Sequence, residues 1–256
     1  MSGRLQGRVA LVTGVSRTVG IGAAIAKELA AEGASLFLSY YRPYDASQPW
    51  GVGEAEPATI AADLRAAGAE VEILEMDLAR ADSAKALVDA VLARFARLDI
   101  LVNNAAHSEQ GEIAALDAAQ LDRHYAVNLR AAALLCGEMA RRRPVGPGGR
   151  IINLTSGQGH GPMPGEIAYA ATKGAIDALT LSLGTGLPPR GITVNAVDPG
   201  ATDTGWMPDE LRQHLARSAP MGRVGLPADA ARLVAFLASD EAAWITGQII
   251  RSRGGS

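Results

Sequence analysis

The sequence predicts an α/β fold in which one doubly wound, mostly parallel sheet carries helices on both of its faces. Two observations lead to this prediction. Short apolar runs alternate along the chain with longer segments of helical periodicity, as in repeated βαβ units. A glycine-rich turn also follows the first apolar run directly and leads into the first helical segment. The 256 residues contain no linker or internal repeat, so one domain is expected over residues 1–256.

The apolar runs are short and bounded by turn residues, which is typical of buried strands. We assign seven strands to Val9–Thr13, Ser35–Ser39, Glu70–Met76, Ile100–Asn103, Arg150–Leu154, Thr193–Val197 and Gln248–Ile250. Helical periodicity predicts helices over Gly22–Ala31, Ala58–Ala67, Ser83–Ala96, Ala118–Arg142, Ile167–Leu183 and Ala228–Leu237. Two longer segments, Arg42–Pro57 and Pro199–Pro208, are expected to be irregular, and such loops often carry function.

Composition and charge exclude several classes of partner and location. The formal net charge is −3 and the basic residues are spread along the chain, so we expect no nucleic acid or membrane partner. No apolar run approaches the ~18 residues of a membrane span, and the N-terminus lacks a secretory signal. The single cysteine, Cys136, favours a reducing compartment and a buried thiol, so a cytoplasmic protein is expected. The four histidines show no metal-ligand spacing, and no metal is expected.

The glycine-rich turn predicts a site for a dinucleotide cofactor. Gly14 permits a sharp turn after the first strand, and Gly20 and Gly22 let a pyrophosphate approach the N–H groups that begin the next helix. A glycine cluster alone is weak evidence, but the order strand, turn, helix favours the cofactor over a plain loop.

The residues that follow the second strand bear on the choice between NAD and NADP. An NAD-binding turn has a carboxylate about 20 residues further on, for the ribose 2′-hydroxyl. Here Tyr40, Tyr41 and Arg42 occupy that region, and Arg17 and Arg42 could pair with a 2′-phosphate instead. NADP(H) is therefore preferred, although the nearby Asp45 keeps NAD open.

Tyr169 and Lys173 are four residues apart in a helical segment, so their side chains share one face. A phenol with a pKa near ~10 is a poor base at neutral pH. A fixed ammonium beside it would lower that pKa and make the tyrosine a usable acid or base. By itself, the same spacing is also common in surface helices.

Several motifs together resemble the short-chain dehydrogenase/reductase family, and within it the 3-oxoacyl-carrier-protein reductases. They are Thr13–Gly22, Asn103–Ala106, Asn128, Ser156, Tyr169 with Lys173, and Pro199–Gly200 with Thr204. The similarity runs from about Gly7 to Gly255. The resemblance implies a Rossmann-type sheet of seven strands, a nicotinamide cofactor, and a catalytic tetrad that reduces a carbonyl or oxidises a secondary alcohol. The tetrad falls on Asn128, Ser156, Tyr169 and Lys173.

Each member of the tetrad can be given a role. Tyr169 would donate a proton to the carbonyl oxygen as hydride arrives, and Ser156 would hydrogen-bond the same oxygen. Lys173 would lower the pKa of the tyrosine and, as the resemblance implies, hold the nicotinamide ribose. Asn128 would position a water that connects Lys173 to bulk solvent.

The resemblance also implies the cofactor contacts and the assembly. The contacts are Gly14, Ser16, Arg17, Gly20, Ile21, Gly22, Tyr40, Arg42, Asp77, Leu78, Asn104, Ala105, Tyr169, Lys173, Pro199, Gly200, Thr202 and Thr204. Asp77 should meet the adenine, Asn103 the adenosine ribose region, and Pro199–Thr204 the nicotinamide. Substrate should be shaped by His160–Glu166 and by a loop over Asp203–Arg217. The helices Ala118–Arg142 and Ile167–Leu183 should form the interface of a homotetramer or homodimer.

Three departures from the family pattern leave alternatives open. Five residues separate Gly14 from Gly20 where the family usually has three, and such longer loops resemble divergent enoyl reductases. Those enzymes, however, space tyrosine and lysine more widely. Gly184 and Gly186 weaken a helix that should lie at an interface, and Arg253 replaces a common acidic residue. An enoyl-thioester reductase, an NAD-linked alcohol dehydrogenase and a non-catalytic dinucleotide-binding regulatory protein are the alternatives.

Overall fold

The computed structural model describes residues 3–255, and its described strands form one parallel sheet in a single-domain Rossmann-type fold. The strand order is β3-β2-β1-β4-β5-β6-β7, and each neighbouring pair is parallel. The strands are β1 (Val9–Thr13), β2 (Ser35–Tyr40), β3 (Val71–Glu75), β4 (Ile100–Asn103), β5 (Gly149–Leu154), β6 (Ile192–Asp198) and β7 (Ile249–Arg251).

The helices lie on both faces of the sheet. They are α1 (Ile21–Ala31), α2 (Arg42–Ala46), α3 (Glu56–Ala66), α4 (Ser83–Phe95), α5 (Ala118–His124), α6 (Ala132–Arg142), α7 (Ile167–Gly186), α8 (Asp209–Ser218) and α9 (Pro227–Ala238). A π-helical turn, Tyr125–Ala131, joins α5 to α6 without a break. None of the helices in the part of the chain just described is both long and apolar enough to cross a membrane.

Alternate residues of the central strands point into two separate cores. In β1, Ala10 and Val12 join a core formed with α1, α3 and α9, whereas Val9 and Leu11 join a second core with α4 and α6. All five residues of β1 are buried. Burial on both faces explains why these strands read as continuous apolar runs in the sequence.

The strands and most helices agree with the sequence prediction, but two helices were missed. The predicted irregular segment Arg42–Pro57 contains α2, and the predicted loop Asp203–Arg217 is wrong in its second half, which forms α8. No residue of α8 is buried, so the helix lacks the core-facing apolar stripe on which the prediction depended. Acidic residues in its first turn and Arg217 in its last suit the helix dipole.

From β1 the strand order runs through β2 to β3 on one side and from β4 to β7 on the other. This switch point places a crevice at the carboxyl ends of β1 and β4. Gly14, with a φ of +74°, turns the chain there. A Cβ on Gly14 would lie 2.7 Å from the Cα of Ala105, so the segments that follow β1 and β4 approach each other closely. The candidate site is built around this crevice.

Candidate active site

A cleft of about 510 Å³ opens at the carboxyl ends of β1 to β4. Most of the predicted cofactor contacts line it: Gly14, Ser16, Arg17, Gly20, Ile21, Tyr40, Asp77, Leu78, Asn104, Ala105 and Thr204. Others that line it were not predicted to do so: Tyr41, Tyr44, His107 and Arg123. Seven predicted contacts lie outside its lining: Gly22, Arg42, Tyr169, Lys173, Pro199, Gly200 and Thr202.

The turn between β1 and α1 brings the start of a helix to this cleft. A Cβ on Gly22 would lie 2.6 Å from the carbonyl oxygen of Gly14, so the helix packs directly on the turn. The first N–H groups of a helix lack partners within it and favour an anion. The glycine-rich turn, which is two residues longer than usual, is held by Glu56 at the start of α3. Thr18 donates to this carboxylate from N at 2.7 Å and from Oγ1 at 2.9 Å.

Arg17 reaches across the cleft from the glycine turn. Its Nη2 donates to the carbonyl oxygen of Thr204 at 2.7 Å, and its guanidinium lies 5.5 Å from the centre of a Trp50 ring. The two extra loop residues therefore leave Arg17 in the cleft. Trp50 in turn donates from Nε1 to Asp45 at 3.3 Å, so the carboxylate that kept NAD open has a partner.

Arg42 has a partner that the sequence did not reveal. Its Nε and Nη2 donate to the two carboxylate oxygens of Glu75 at 3.1 and 2.9 Å, and its main-chain N–H also donates to Glu75. This hydrogen bonding lowers the pKa of Glu75. Glu75 is brought here by strand register, because it pairs with Tyr40 across β2 and β3.

Ser156, Tyr169 and Lys173 meet beside the carboxyl end of β5. Ser156 follows β5 by two residues, and its side chain is close enough to Tyr169 on α7 to influence the ionisation of the phenol. Lys173, one turn later on α7, is 3% exposed and donates from Nζ to the carbonyl oxygen of Leu154 at 2.7 Å. Its ammonium lies 5.5 Å from the centre of the Tyr169 ring.

Burial dominates the ionisation of both residues on α7. It raises the pKa of Tyr169 to about 12, although the neighbouring Ser156 acts in the opposite direction. It lowers the pKa of Lys173 to about 8, against the charge of Asp177. The sequence had suggested that the lysine brings the pKa of the phenol down, but in the protein without a cofactor the loss of solvation dominates and raises that pKa.

Asn128 lies in the π-helical turn and is 3% exposed. Its Oδ1 accepts from the main-chain N–H of His107 at 2.7 Å, and its Nδ2 donates to the His107 carbonyl oxygen at 2.9 Å. The same Nδ2 donates to Thr172 on α7 at 3.0 Å. Asn128 thus ties the segment after β4 to the residue that precedes Lys173.

Asp177 is a third polar residue of α7 at this site and was missed in the sequence. Its carboxylate accepts from Oγ1 of Thr155 at 2.6 Å and from Nε2 of Gln158 at 2.5 Å. Thr155 and Gln158 flank Ser156, so Asp177 fastens the serine turn to the helix that carries Tyr169. Its position four residues after Lys173 could have indicated that it shares the same helix face.

The segment after β6, expected at the nicotinamide, is held by hydrogen bonds of its own. Asp198 accepts from the N–H of Gly200 at 2.9 Å, and Thr202 donates from Oγ1 to the carbonyl oxygen of Pro199 at 3.1 Å. Thr202 also pairs with Gly225 in an isolated bridge. Among residues 3–255, no three His, Cys, Asp or Glu side chains are grouped so that they could hold a metal ion.

Comparison with known proteins gives a consistent result. Residues 14–256 match the family model described as enoyl-(acyl carrier protein) reductase. An uncharacterized oxidoreductase of Bacillus subtilis, YjdA, is 48% identical over 98% of this chain and 97% of its own length. The 3-oxoacyl-[acyl-carrier-protein] reductase FabG of Staphylococcus aureus is 37% identical over 96% of both chains.

Solved structures agree with the sequence comparisons. A short-chain dehydrogenase of Burkholderia cenocepacia, in complex with NADP, superposes with a TM-score of 0.88 at 37% identity and 98% coverage of both chains. The present chain therefore belongs to the short-chain dehydrogenase/reductase family, NAD(P)-dependent oxidoreductases of carbonyl and hydroxyl groups.

Proposed function

We propose that this chain reversibly reduces a ketone or 3-oxoacyl carbonyl to a secondary alcohol with NADP(H), through Asn128, Ser156, Tyr169 and Lys173. The observation that carries the proposal is the position of the Lys173 ammonium, 5.5 Å from the centre of the Tyr169 ring and bonded to Leu154 just before the turn that carries Ser156. In this arrangement the hydroxyl groups of Ser156 and Tyr169 could both donate to one carbonyl oxygen.

Tyr169 serves as the proton donor in the direction of reduction. Because its pKa is about 12, the phenol is protonated at neutral pH and has a proton to give. A reduced nicotinamide bound in the cleft supplies the hydride. As the carbonyl oxygen gains charge, Ser156 stabilises it by hydrogen bonding and Tyr169 transfers its proton to it.

Lys173 supports that transfer by its charge. With a pKa of about 8, the side chain is mainly an ammonium at pH 7, close enough to stabilise the phenolate that Tyr169 becomes. An ammonium carries three donors, and the bond to Leu154 uses one. The others suit the ribose hydroxyl groups of the nucleotide. Asn128 would hold the water that returns a proton to Lys173.

The cleft residues fit a dinucleotide. A Cβ on Gly22 would meet the Gly14 carbonyl oxygen and a Cβ on Gly14 would meet Ala105, so neither position has room for a side chain. This packing brings the start of α1 to the cleft, where a pyrophosphate would bind. Asp77 and Leu78 line the end of the cleft that would hold the adenine. The residues Pro199–Thr204 would contact the nicotinamide, and Thr204 lines the cleft.

We assign the preference for NADP(H) chiefly to Arg17. Arg17 lines the cleft, and its bond to Thr204 through Nη2 leaves other guanidinium donors for a phosphate. Arg42 lies outside the lining and is held by Glu75. It would contribute only if its guanidinium bonded the 2′-phosphate as well as the Glu75 carboxylate. The NADP complex of the Burkholderia cenocepacia relative supports this choice.

Reduction of an enoyl thioester is the second candidate, because the matching family model is described as an enoyl-(acyl carrier protein) reductase. In that reaction the hydride goes to a carbon–carbon double bond. The four-residue spacing of Tyr169 and Lys173, with Ser156 nearby, favours the carbonyl, since both hydroxyl groups could donate to a single oxygen.

We further propose a homotetramer or homodimer, built on the faces of α5 to α7. Large apolar side chains are exposed there: Leu121, Tyr125, Leu134 and Leu181. Light scattering of the purified chain tests this, and a monomer at micromolar concentration would refute it. The cytoplasmic location proposed from the single cysteine is tested by fractionating cells that express the chain.

A substrate panel tests the proposed reaction. The purified chain is mixed with NADPH or NADH and with ketones, 3-oxoacyl thioesters, enoyl thioesters or, with the oxidised cofactors, secondary alcohols. We expect the fastest cofactor oxidation with NADPH and a ketone or 3-oxoacyl thioester. Turnover confined to enoyl thioesters would support the second candidate. Tight NADPH binding without turnover on any substrate would support a regulatory protein.

A further inference from the structure

The C-terminal tail places an arginine, Arg253, against the turn that carries Ser156. β7 ends at Arg251, beside Asp198 at the end of β6, and Ser252 continues the pairing by donating to the Asp198 carbonyl oxygen at 2.7 Å. Arg253 then turns inward. Its Nη1 lies 3.2 Å from Oδ2 of Asp198, with side chains only 16% and 3% exposed.

The Asp198 carboxylate links this arginine to the segment proposed to bind nicotinamide. Its Oδ1 accepts from the N–H of Gly200 at 2.9 Å while Oδ2 faces Arg253. Gly200 has a φ of +65°, and a Cβ there would lie 2.9 Å from Cγ of Arg253. The arginine side chain thus packs against the backbone of Gly200 and forms an ion pair with Asp198, the carboxylate that accepts the Gly200 N–H.

The guanidinium also touches the turn that carries Ser156. A Cβ on Gly157 would lie 3.0 Å from Nη1 and 3.3 Å from Nη2 of Arg253, so the group rests against the residue after the serine. On its other side this turn is fastened by Asp177 through Gln158. The planar guanidinium therefore fills the space between the serine turn and the segment at Gly200.

We propose that Arg253 is a positioning residue that sets the spacing between Ser156 and the nicotinamide-binding segment. The inference rests on the proposed function, because it assigns Pro199–Thr204 to the nicotinamide. The pair with Asp198 fixes the tail, and the guanidinium acts as a wedge between Gly157 and Gly200. A displacement of about 1 Å between reacting groups is enough to cost about 100-fold in rate.

Three variants separate positioning from stability. Arg253→Met removes the cation and the wedge and leaves the buried Asp198 carboxylate without its guanidinium, so both stability and turnover should fall. Asp198→Asn with Arg253→Met removes both charges, so it should fold and unfold at a temperature nearer that of the wild type. Arg253→Lys keeps the charge but loses the planar group. Arg232→Met, at an arginine that is 68% exposed on α9, is the matched control.

The experiment measures the unfolding temperature, kcat for carbonyl reduction, and the affinities for NADPH and for adenosine 2′,5′-bisphosphate. We expect kcat of the double variant to stay at least about tenfold below wild type although its stability recovers, with Arg253→Lys intermediate. NADPH affinity should fall while that for adenosine 2′,5′-bisphosphate stays unchanged, because the latter lacks the nicotinamide.

Recovery of kcat together with stability in the double variant, or wild-type kcat in Arg253→Lys, would overturn the proposal. Equal losses of affinity for the two nucleotides would do so as well. If the wild type transfers no hydride to any substrate, the proposed function fails. The two affinities then still decide whether Arg253 positions the nicotinamide segment.

Discussion

The Lys173 ammonium lies 5.5 Å from the centre of the Tyr169 ring, one helical turn along α7, with Lys173 buried and Tyr169 partly buried. Burial pushes the two pKa values in opposite directions, to about 12 for the phenol and about 8 for the ammonium. Each group therefore stays protonated at neutral pH. This state suits the proposed roles, in which Tyr169 donates a proton and Lys173 holds the resulting phenolate next to a positive charge.

Replacing Lys173 should move the pH profile of alcohol oxidation upward. In the proposed mechanism oxidation needs the Tyr169 phenolate, so its rate should rise as pH passes the apparent pKa of the phenol. In Lys173→Met the phenolate loses its cation and that pKa increases, so the rise shifts to higher pH. The measurement is kcat against pH with a secondary alcohol. The exposed Lys85→Met on α4 is the control, and an unchanged profile for Lys173→Met would contradict the role.

Neutralising Asp177 should lower the pKa of Lys173. The Asp177 charge raises the pKa of Lys173 against the effect of burial, so Asp177→Asn should bring that pKa below about 8. Because the proposed mechanism requires the ammonium, kcat/KM for carbonyl reduction should then fall at lower pH than in the wild type. Asp63→Asn, an exposed carboxylate on α3, should leave the profile in place. A profile for Asp177→Asn that matches wild type would show that the carboxylate does not influence Lys173.

Removing Arg17 should weaken NADPH binding selectively. A charge-assisted bond to the 2′-phosphate contributes about 1.5 to 3 kcal/mol, so Arg17→Ala should cost at least about tenfold in NADPH affinity. NADH lacks this phosphate, and its affinity should change little. Fluorescence titration with both cofactors measures the two affinities. Equal losses for NADPH and NADH would show that Arg17 supports the loop structure and does not contact the 2′-phosphate.

Glu75→Gln should strengthen NADPH binding by releasing Arg42. The pair of Arg42 and Glu75, each about a third exposed, holds the guanidinium at two oxygens, and solvent-screened pairs of this kind are weak enough for a phosphate to compete. We expect a gain of about two- to fivefold for NADPH and none for NADH. In Glu75→Gln with Arg42→Ala the gain should disappear. If it persists there, Arg42 is not the residue that Glu75 restrains.

The parts of the fold that bury a face could be predicted from the sequence. β1, buried at all five residues, reads as an apolar run, and the glycine pattern around Gly14 follows from close backbone approach. α8 could not be found in this way, because none of its residues is buried. Gly184, expected to weaken α7, proves to be a packing position: a Cβ there would lie 2.3 Å from Cα of Gly247.

The residues of the candidate site also differ in how far the sequence reveals their partners. Residues on one helix, such as Tyr169 and Lys173, are related by spacing that the sequence displays. Glu75 reaches Arg42 only through the register of two strands, and Arg253 reaches Asp198 only because the tail continues beside β6. Partners that meet through tertiary structure leave no periodic signal along the chain, which is why these ion pairs were missed.

Transfer of deuterium tests the central claim most directly. The wild type is supplied with a 3-oxoacyl thioester and NADPH that carries deuterium at both C4 positions, and the product is analysed by mass spectrometry and NMR. We expect the label on the carbinol carbon of a secondary alcohol, formed at least about 100-fold more slowly by Tyr169→Phe, which still binds NADPH. An unlabelled alcohol, or an undiminished rate in Tyr169→Phe, would contradict carbonyl reduction through this tyrosine.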